Sequence, residues 1–170
     1  SISPTQCKRC PSGSYYNHSQ SRCFACVPGR YLFMEGQTSS SPCKPCASGK
    51  YSISGENQTN ASVCLSCPAG TYSESGEAQI TADVCVDCPP GTYSVAGEAQ
   101  TSADVCTDCP GGRYSEAGEA QTSGNVCTAC APGTYSLAGS SQTSATVCVD
   151  CPAGTYSVAG EAQTSADVCT

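Results

Sequence analysis

The side chains with most chemistry to offer are seventeen cysteines in a chain of 170 residues. Sixteen of them fall in CxxC pairs that begin at Cys7, Cys23, Cys43, Cys64, Cys85, Cys106, Cys127 and Cys148, and Cys169 continues the series. Three chemistries use such pairs. A bridge inside one CxxC serves thiol–disulfide exchange, two pairs about 15–20 residues apart can hold zinc, and cysteines of neighbouring pairs can be joined as structural disulfides.

Repetition discriminates among them. From Cys43 onward the pairs recur every 21 residues, and Cys88–Thr107 differs from Cys151–Thr170 only at Pro90 against Ala153. Nearly identical repeats should carry equivalent bonds. Bridges inside each CxxC would make a row of redox centres with no supporting active-site pattern. Joining first to first and second to second would make alternate repeats different. The remaining local solution joins the second Cys of one pair to the first of the next: Cys10–Cys23, Cys26–Cys43, Cys46–Cys64, Cys67–Cys85, Cys88–Cys106, Cys109–Cys127, Cys130–Cys148 and Cys151–Cys169. Each bridge closes a short loop and should stabilise by roughly 3 kcal/mol. Cys7 is unpaired in this scheme, with a partner expected upstream or in another chain, or none.

Zinc is the rival, because Cys64, Cys67, Cys85 and Cys88 also match a four-thiolate spacing. Against it, zinc sites would force alternate repeats to differ, and the chain lacks the basic surface usual in nucleic-acid-binding zinc modules. It also carries secretory sequons at Asn17-His-Ser, Asn57-Gln-Thr and Asn60-Ala-Ser. We therefore expect no metal, N-linked glycans at Asn17, Asn57 and Asn60, and O-linked glycans on hydroxyls of the GTYS and QTS segments. Paired acids such as Asp83 with Asp87 and Asp104 with Asp108 raise calcium, but the next repeat has Asn125 and Ala129 at those places, which favours solvated surface. The only histidine is His18, inside a sequon, and no phosphate loop, zinc-protease motif or dinucleotide fingerprint occurs. The chain reads as a non-enzyme.

The elements that position the cysteines must be small. Leu, Ile, Val and Phe together are 19 of 170 residues, well below the roughly 20% under which an acidic chain is normally disordered. Cross-links must replace a conventional core. Within a repeat, Pro and Gly after the second Cys make a turn, and the Thr-Tyr-Ser triplet has extended propensity. A second Gly turns the chain again, and Gln-Thr leads into the Val before the next Cys. Two short strands per repeat are expected and almost no helix, since no stretch sustains a 3.6-residue period. The tyrosines at 31, 51, 72, 93, 114, 135 and 156 are the largest apolar resource of each repeat. We read them as covers for the disulfides and their neighbours, with carbohydrate stacking as the alternative.

Residues 1–42 form irregular cysteine-rich units and 43–170 the regular array, which stops in mid-register at Cys169 and Thr170 and is expected to continue. Charge divides in a similar place. Residues 1–50 hold six of the seven basic side chains against Glu35, a balance of +5, whereas residues 51–170 hold only Arg113 against thirteen acids, a balance of -12. Such polarity favours head-to-tail association. No run of 18 apolar residues is present, so no membrane span is expected.

The CxxCPxGTYS core, as at Cys85, Cys88, Pro89, Gly91, Thr92, Tyr93 and Ser94, resembles the ephrin-receptor-like and tumour-necrosis-factor-receptor-like cysteine-rich repeats, found in animal receptors and in long arrays of protist and algal surface proteins. The resemblance covers nearly the whole chain. It implies an elongated rod of disulfide-stapled modules with little regular secondary structure. Departures occur at Val27 and Ala47, which replace the Pro, at Ala131, which shifts it to Pro132, and at Ile80, which replaces Thr. Typical receptor modules have more cysteines per repeat, which weakens the case for a receptor-type ligand site. The expected function is that of an extracellular, glycosylated structural protein that self-associates into a surface filament or coat and binds no nucleic acid. The alternative is the stalk of a receptor or adhesin ectodomain with a protein or carbohydrate ligand.

Overall fold

A computed structural model describes residues 9–170. The fold is a series of small disulfide-rich repeats, all but the last, Cys151–Cys169, built on a two-stranded antiparallel hairpin. The first hairpin is the longest, pairing β1 (Ser14–Asn17) with β2 (Arg22–Ala25). Six more follow, each with two residues per strand. They are β3 (Arg30–Tyr31) with β4 (Lys44–Pro45), β5 (Lys50–Tyr51) with β6 (Leu65–Ser66), and β7 (Thr71–Tyr72) with β8 (Val86–Asp87). The last three are β9 (Thr92–Tyr93) with β10 (Thr107–Asp108), β11 (Arg113–Tyr114) with β12 (Thr128–Ala129), and β13 (Thr134–Tyr135) with β14 (Val149–Asp150).

The first strand of each hairpin lies where the tyrosine triplet placed it. The second does not. The run from Gln-Thr to Val, expected to be extended, ends in a 3-10 turn at Ala61–Val63, Ala82–Val84, Ala103–Val105, Gly124–Val126, Ala145–Val147 and Ala166–Val168. The pairing strand is instead the two residues inside the next CxxC. A capping side chain supports five of the six turns: Ser102 Oγ accepts the Asp104 N–H at 3.2 Å, and Asn60, Ser123, Ser144 and Ser165 do the same work, whereas the turn at Ala82–Val84 forms with no cap bond from Thr81. Once the chain bends there, the bridge from Cys88 to Cys106 delivers Thr107 and Asp108 to the edge of Thr92 and Tyr93.

The turn before the first strand is held twice. Thr92 donates from both its N–H and its Oγ1 to the Pro89 carbonyl, at 3.2 and 2.7 Å. Gly91 sits at φ +80, the left-handed conformation that a type II turn asks of its third residue.

The chain divides into two compact units. One comprises residues to Cys67 together with Ser73–Cys85; the other comprises Pro68–Tyr72 and Val86–Thr170. Within each, main-chain hydrogen bonds join a repeat to the next. In the first unit Leu32 N–H donates to Gln58 O at 2.8 Å, Ser52 to Gln79 at 2.9 Å and Ala78 to Cys46 at 2.8 Å. In the second, Ser94 donates to Gln121 at 2.8 Å, and Ala120 and Ser141 donate to Cys88 and Cys109, both at 2.9 Å.

A further contact skips a repeat. Gly13 and Gly29 pack directly on the backbone of Asn57 and Ala78 in the first unit, and Gly70, Gly91 and Gly112 on Ala120, Ser141 and Ala162 in the second. A Cβ on any of these glycines would collide with a backbone carbonyl. The residues they meet are themselves left-handed, with φ between 56 and 61. For Ala that conformation carries a penalty of about 1 kcal/mol, which the surrounding bonds must offset.

Candidate functional site

The cysteines define the interior. All sixteen described cysteines are bridged, in the pairs Cys10–Cys23, Cys26–Cys43, Cys46–Cys64, Cys67–Cys85, Cys88–Cys106, Cys109–Cys127, Cys130–Cys148 and Cys151–Cys169, with Cα–Cα separations of 5.4–5.7 Å. The second Cys of each motif from Cys10 to Cys130 is at most 1% exposed. Cys7 lies outside the described residues. Among the described residues no group of three or more His, Cys, Asp or Glu side chains is placed to hold a metal ion. Asp108, one of the acids that raised calcium, accepts the Ser140 hydroxyl at 3.0 Å instead.

A buried hydroxyl recurs with the same period as the buried Cys. Ser52, Ser73, Ser94, Ser115 and Ser136 follow the strand tyrosine and are at most 1% exposed. Ser52, Ser94 and Ser136 accept the N–H two residues on, at 3.2–3.3 Å. Ser73 and Ser115 Oγ have no partner, and these are the two serines followed by glutamate, Glu74 and Glu116.

Burial divides the hydroxyls expected to carry O-linked glycans. Thr71 and Thr92 of GTYS are buried, and their Oγ1 groups, like that of Thr134, donate to the carbonyl three residues back at 2.7–2.8 Å. The serine of the triplet is sealed from Ser52 to Ser136. A polar side chain bonded to its own turn is withdrawn from solvent. Thr59, Thr101, Thr122, Thr143 and Thr164 of the QT segments remain exposed.

The sequon asparagines occupy three different settings. Asn17 ends β1, and its Oδ1 accepts from Ser19 N–H at 3.0 Å and Ser19 Oγ at 2.6 Å. Asn60 caps a 3-10 turn through Ser62 N–H at 2.9 Å. Asn57 is exposed with φ 61 and packs its main chain on Gly13, a conformation that asparagine tolerates better than most residues.

The tyrosines from Tyr31 to Tyr135 are half-buried, whereas Tyr156 is 66% exposed. The Tyr93 ring lies against Gly124 of the following repeat, so close that a Cβ there would stand 3.0 Å from it.

The first hairpins carry the aromatic and cationic groups. Arg22 lies 4.5 Å from the centroid of Phe24, which stacks on Tyr15 at 6.2 Å, and Lys44 lies 5.6 Å from Phe33. His18 meets Tyr16 edge-on at 5.1 Å. The apolar run from Tyr31 to Met34 splits: Leu32 is buried with Cys26 and Cys43 against Tyr15, while Phe33 and Met34 stay exposed. A cavity of about 420 Å³ opens nearby, lined by Tyr15, Ala25, Val27, Arg30 and Ser40 among others. Nothing in the spacing of CxxC pairs signals this cavity.

No helix among the described residues is long and apolar enough to cross a membrane. In comparisons with known proteins, no family model matches the chain and no curated protein matches it either.

Proposed function

We propose that this chain is a non-catalytic, extracellular, glycosylated structural protein whose repeats, of the ephrin-receptor-like or tumour-necrosis-factor-receptor-like kind, build or belong to a surface filament or coat. The observation that carries this reading is the recurrence of one set of inter-repeat bonds. Ser94, Ser115 and Ser136 donate their main-chain N–H to the Gln121, Gln142 and Gln163 carbonyls at 2.8–2.9 Å, so each of these repeats is joined to the next in the same way. A stack of equivalent repeats suits extension and axial self-contact. The disulfide density agrees with an oxidising compartment, and glycans at Asn17, Asn57 and Asn60 belong to the same reading.

Electron microscopy of the purified, oxidised chain is the test. Filaments or sheets are expected, and deletion of residues 1–42 should abolish them. Monodisperse particles at every concentration would overturn the reading. The head cavity of about 420 Å³ favours a second reading, a receptor or adhesin stalk, which predicts a soluble monomer that binds a protein or carbohydrate.

A further inference from the structure

We propose that the basic head of this chain docks on the acidic body of a second copy. Arg22 and Lys44 are the contact cations, and the once-per-repeat glutamates Glu98, Glu119 and Glu161 are their counter-charges. The proposal rests on the self-assembly reading and names its chemistry.

The cations differ in what they are already doing. Arg30 and Arg113 donate to the carbonyls of Cys43 and Cys127 at 3.0 and 3.1 Å, and Lys50 donates to Ser66 Oγ at 3.0 Å. Those three are engaged within their own hairpins. Arg22 and Lys44 are exposed and lie over aromatic faces instead, 4.5 Å from Phe24 and 5.6 Å from Phe33. A ring face restrains the charged group without neutralising it, leaving N–H donors free for a carboxylate. Phe33, beneath Lys44, is itself exposed and supplies apolar contact beside that charge.

The body offers the complement. Glu98, Glu119 and Glu161 are exposed, and their main-chain carbonyls are held by Gln100, Gln121 and Gln163 Nε2 at 3.0–3.2 Å. Each carboxylate therefore projects from a fixed turn. At the corresponding place in its own repeat stands Ser140, whose hydroxyl meets Asp108 at 3.0 Å, so the row of glutamates is interrupted once.

The experiment is a charge swap on the full oxidised chain. One variant carries Arg22→Glu and Lys44→Glu; the other carries Glu98→Lys, Glu119→Lys and Glu161→Lys. All substituted side chains are exposed, and circular dichroism with thiol titration checks that both variants fold and oxidise. In analytical ultracentrifugation each variant alone should associate at least about tenfold more weakly than the unmodified chain, and their mixture should recover association. Association of the unmodified chain should itself fall as salt rises from low to high ionic strength.

Unchanged association of either variant, or no recovery on mixing, overturns the proposal. So does heparin binding by the head with self-association indifferent to both sets of substitutions, which would assign the head to a sulfated polysaccharide. Filaments insensitive to the swap would sink this docking and spare the filament reading. Charge-dependent pairing without filaments would do the reverse.

Discussion

At one position the head and the array can be compared directly. Leu32 in the head and Ser52, Ser94, Ser115 and Ser136 in the array all follow the strand tyrosine, all are buried, and all donate a main-chain N–H to a glutamine carbonyl of the next repeat at 2.8–2.9 Å. The scaffold is the same and the filling is not. In the head Leu32 packs with Cys26, Cys43 and Tyr15, a small hydrophobic cluster. In the array the place is taken by a hydroxyl. Main-chain bonds and cross-links therefore carry the fold, and the side chain at this position responds to the room available.

The comparison can be broken most severely at the bridges. Replacing Cys88 and Cys106 by Ser should cost about 3 kcal/mol and abolish hydrogen-exchange protection from Thr92 to Asp108. The equivalent change at Cys26 and Cys43 should cost more, because that loop is almost as long, 17 residues against 18, and the two cysteines also pack on Leu32. Equal losses would mean that the head cluster adds nothing.

Exchanging the fillings is the next step down. Leu32→Ser should destabilise the head by about 3 kcal/mol through the cavity and lost transfer energy. Ser94→Leu should overpack the array by about 2 kcal/mol. Both are read from local hydrogen exchange, since a repeat chain need not unfold in one step. A neutral Ser94→Leu would show that the array holds spare volume.

The smallest effect concerns the left-handed residues. Ala99 has φ 59 and Asn57 φ 61. Ala99→Gly should gain up to about 1 kcal/mol by relieving strain, while Asn57→Gly should change stability by less than about 0.5 kcal/mol. Equal gains would remove the distinction between the two residue types here.

Much of this architecture was legible in the residues. The 21-residue period fixes which cysteines can be equivalent, and the Thr-Tyr pair marks the first strand because extended propensity and the preceding Pro-Gly turn agree. The second strand was hidden. Two residues between cysteines, such as Thr107 and Asp108, carry too little propensity to declare themselves, and Ser102 diverts the preceding run into a 3-10 turn. The buried GTYS hydroxyls were hidden for a related reason: polarity suggests exposure, while Thr92 Oγ1 is satisfied by a carbonyl three residues back. Left-handed alanines could not be read at all, since nothing local favours them and contacts from a distant glycine hold them.

Those glycine contacts bear on how such a chain tolerates change. Gly91 reaches over an entire repeat to Ser141, and Gly112 likewise to Ala162, so the repeats between them are straddled by packing contacts that do not involve their own sequence. A gene carrying near-identical copies is prone to gain or lose one. Insertion or loss of a complete copy restores every span with a new but equivalent partner, whereas a partial copy misaligns neighbouring and straddling contacts together. Within the regular array the number of repeats can therefore change with little disturbance, and in the head the contact of Gly13 with Asn57 shows the same span adapted to shorter repeats.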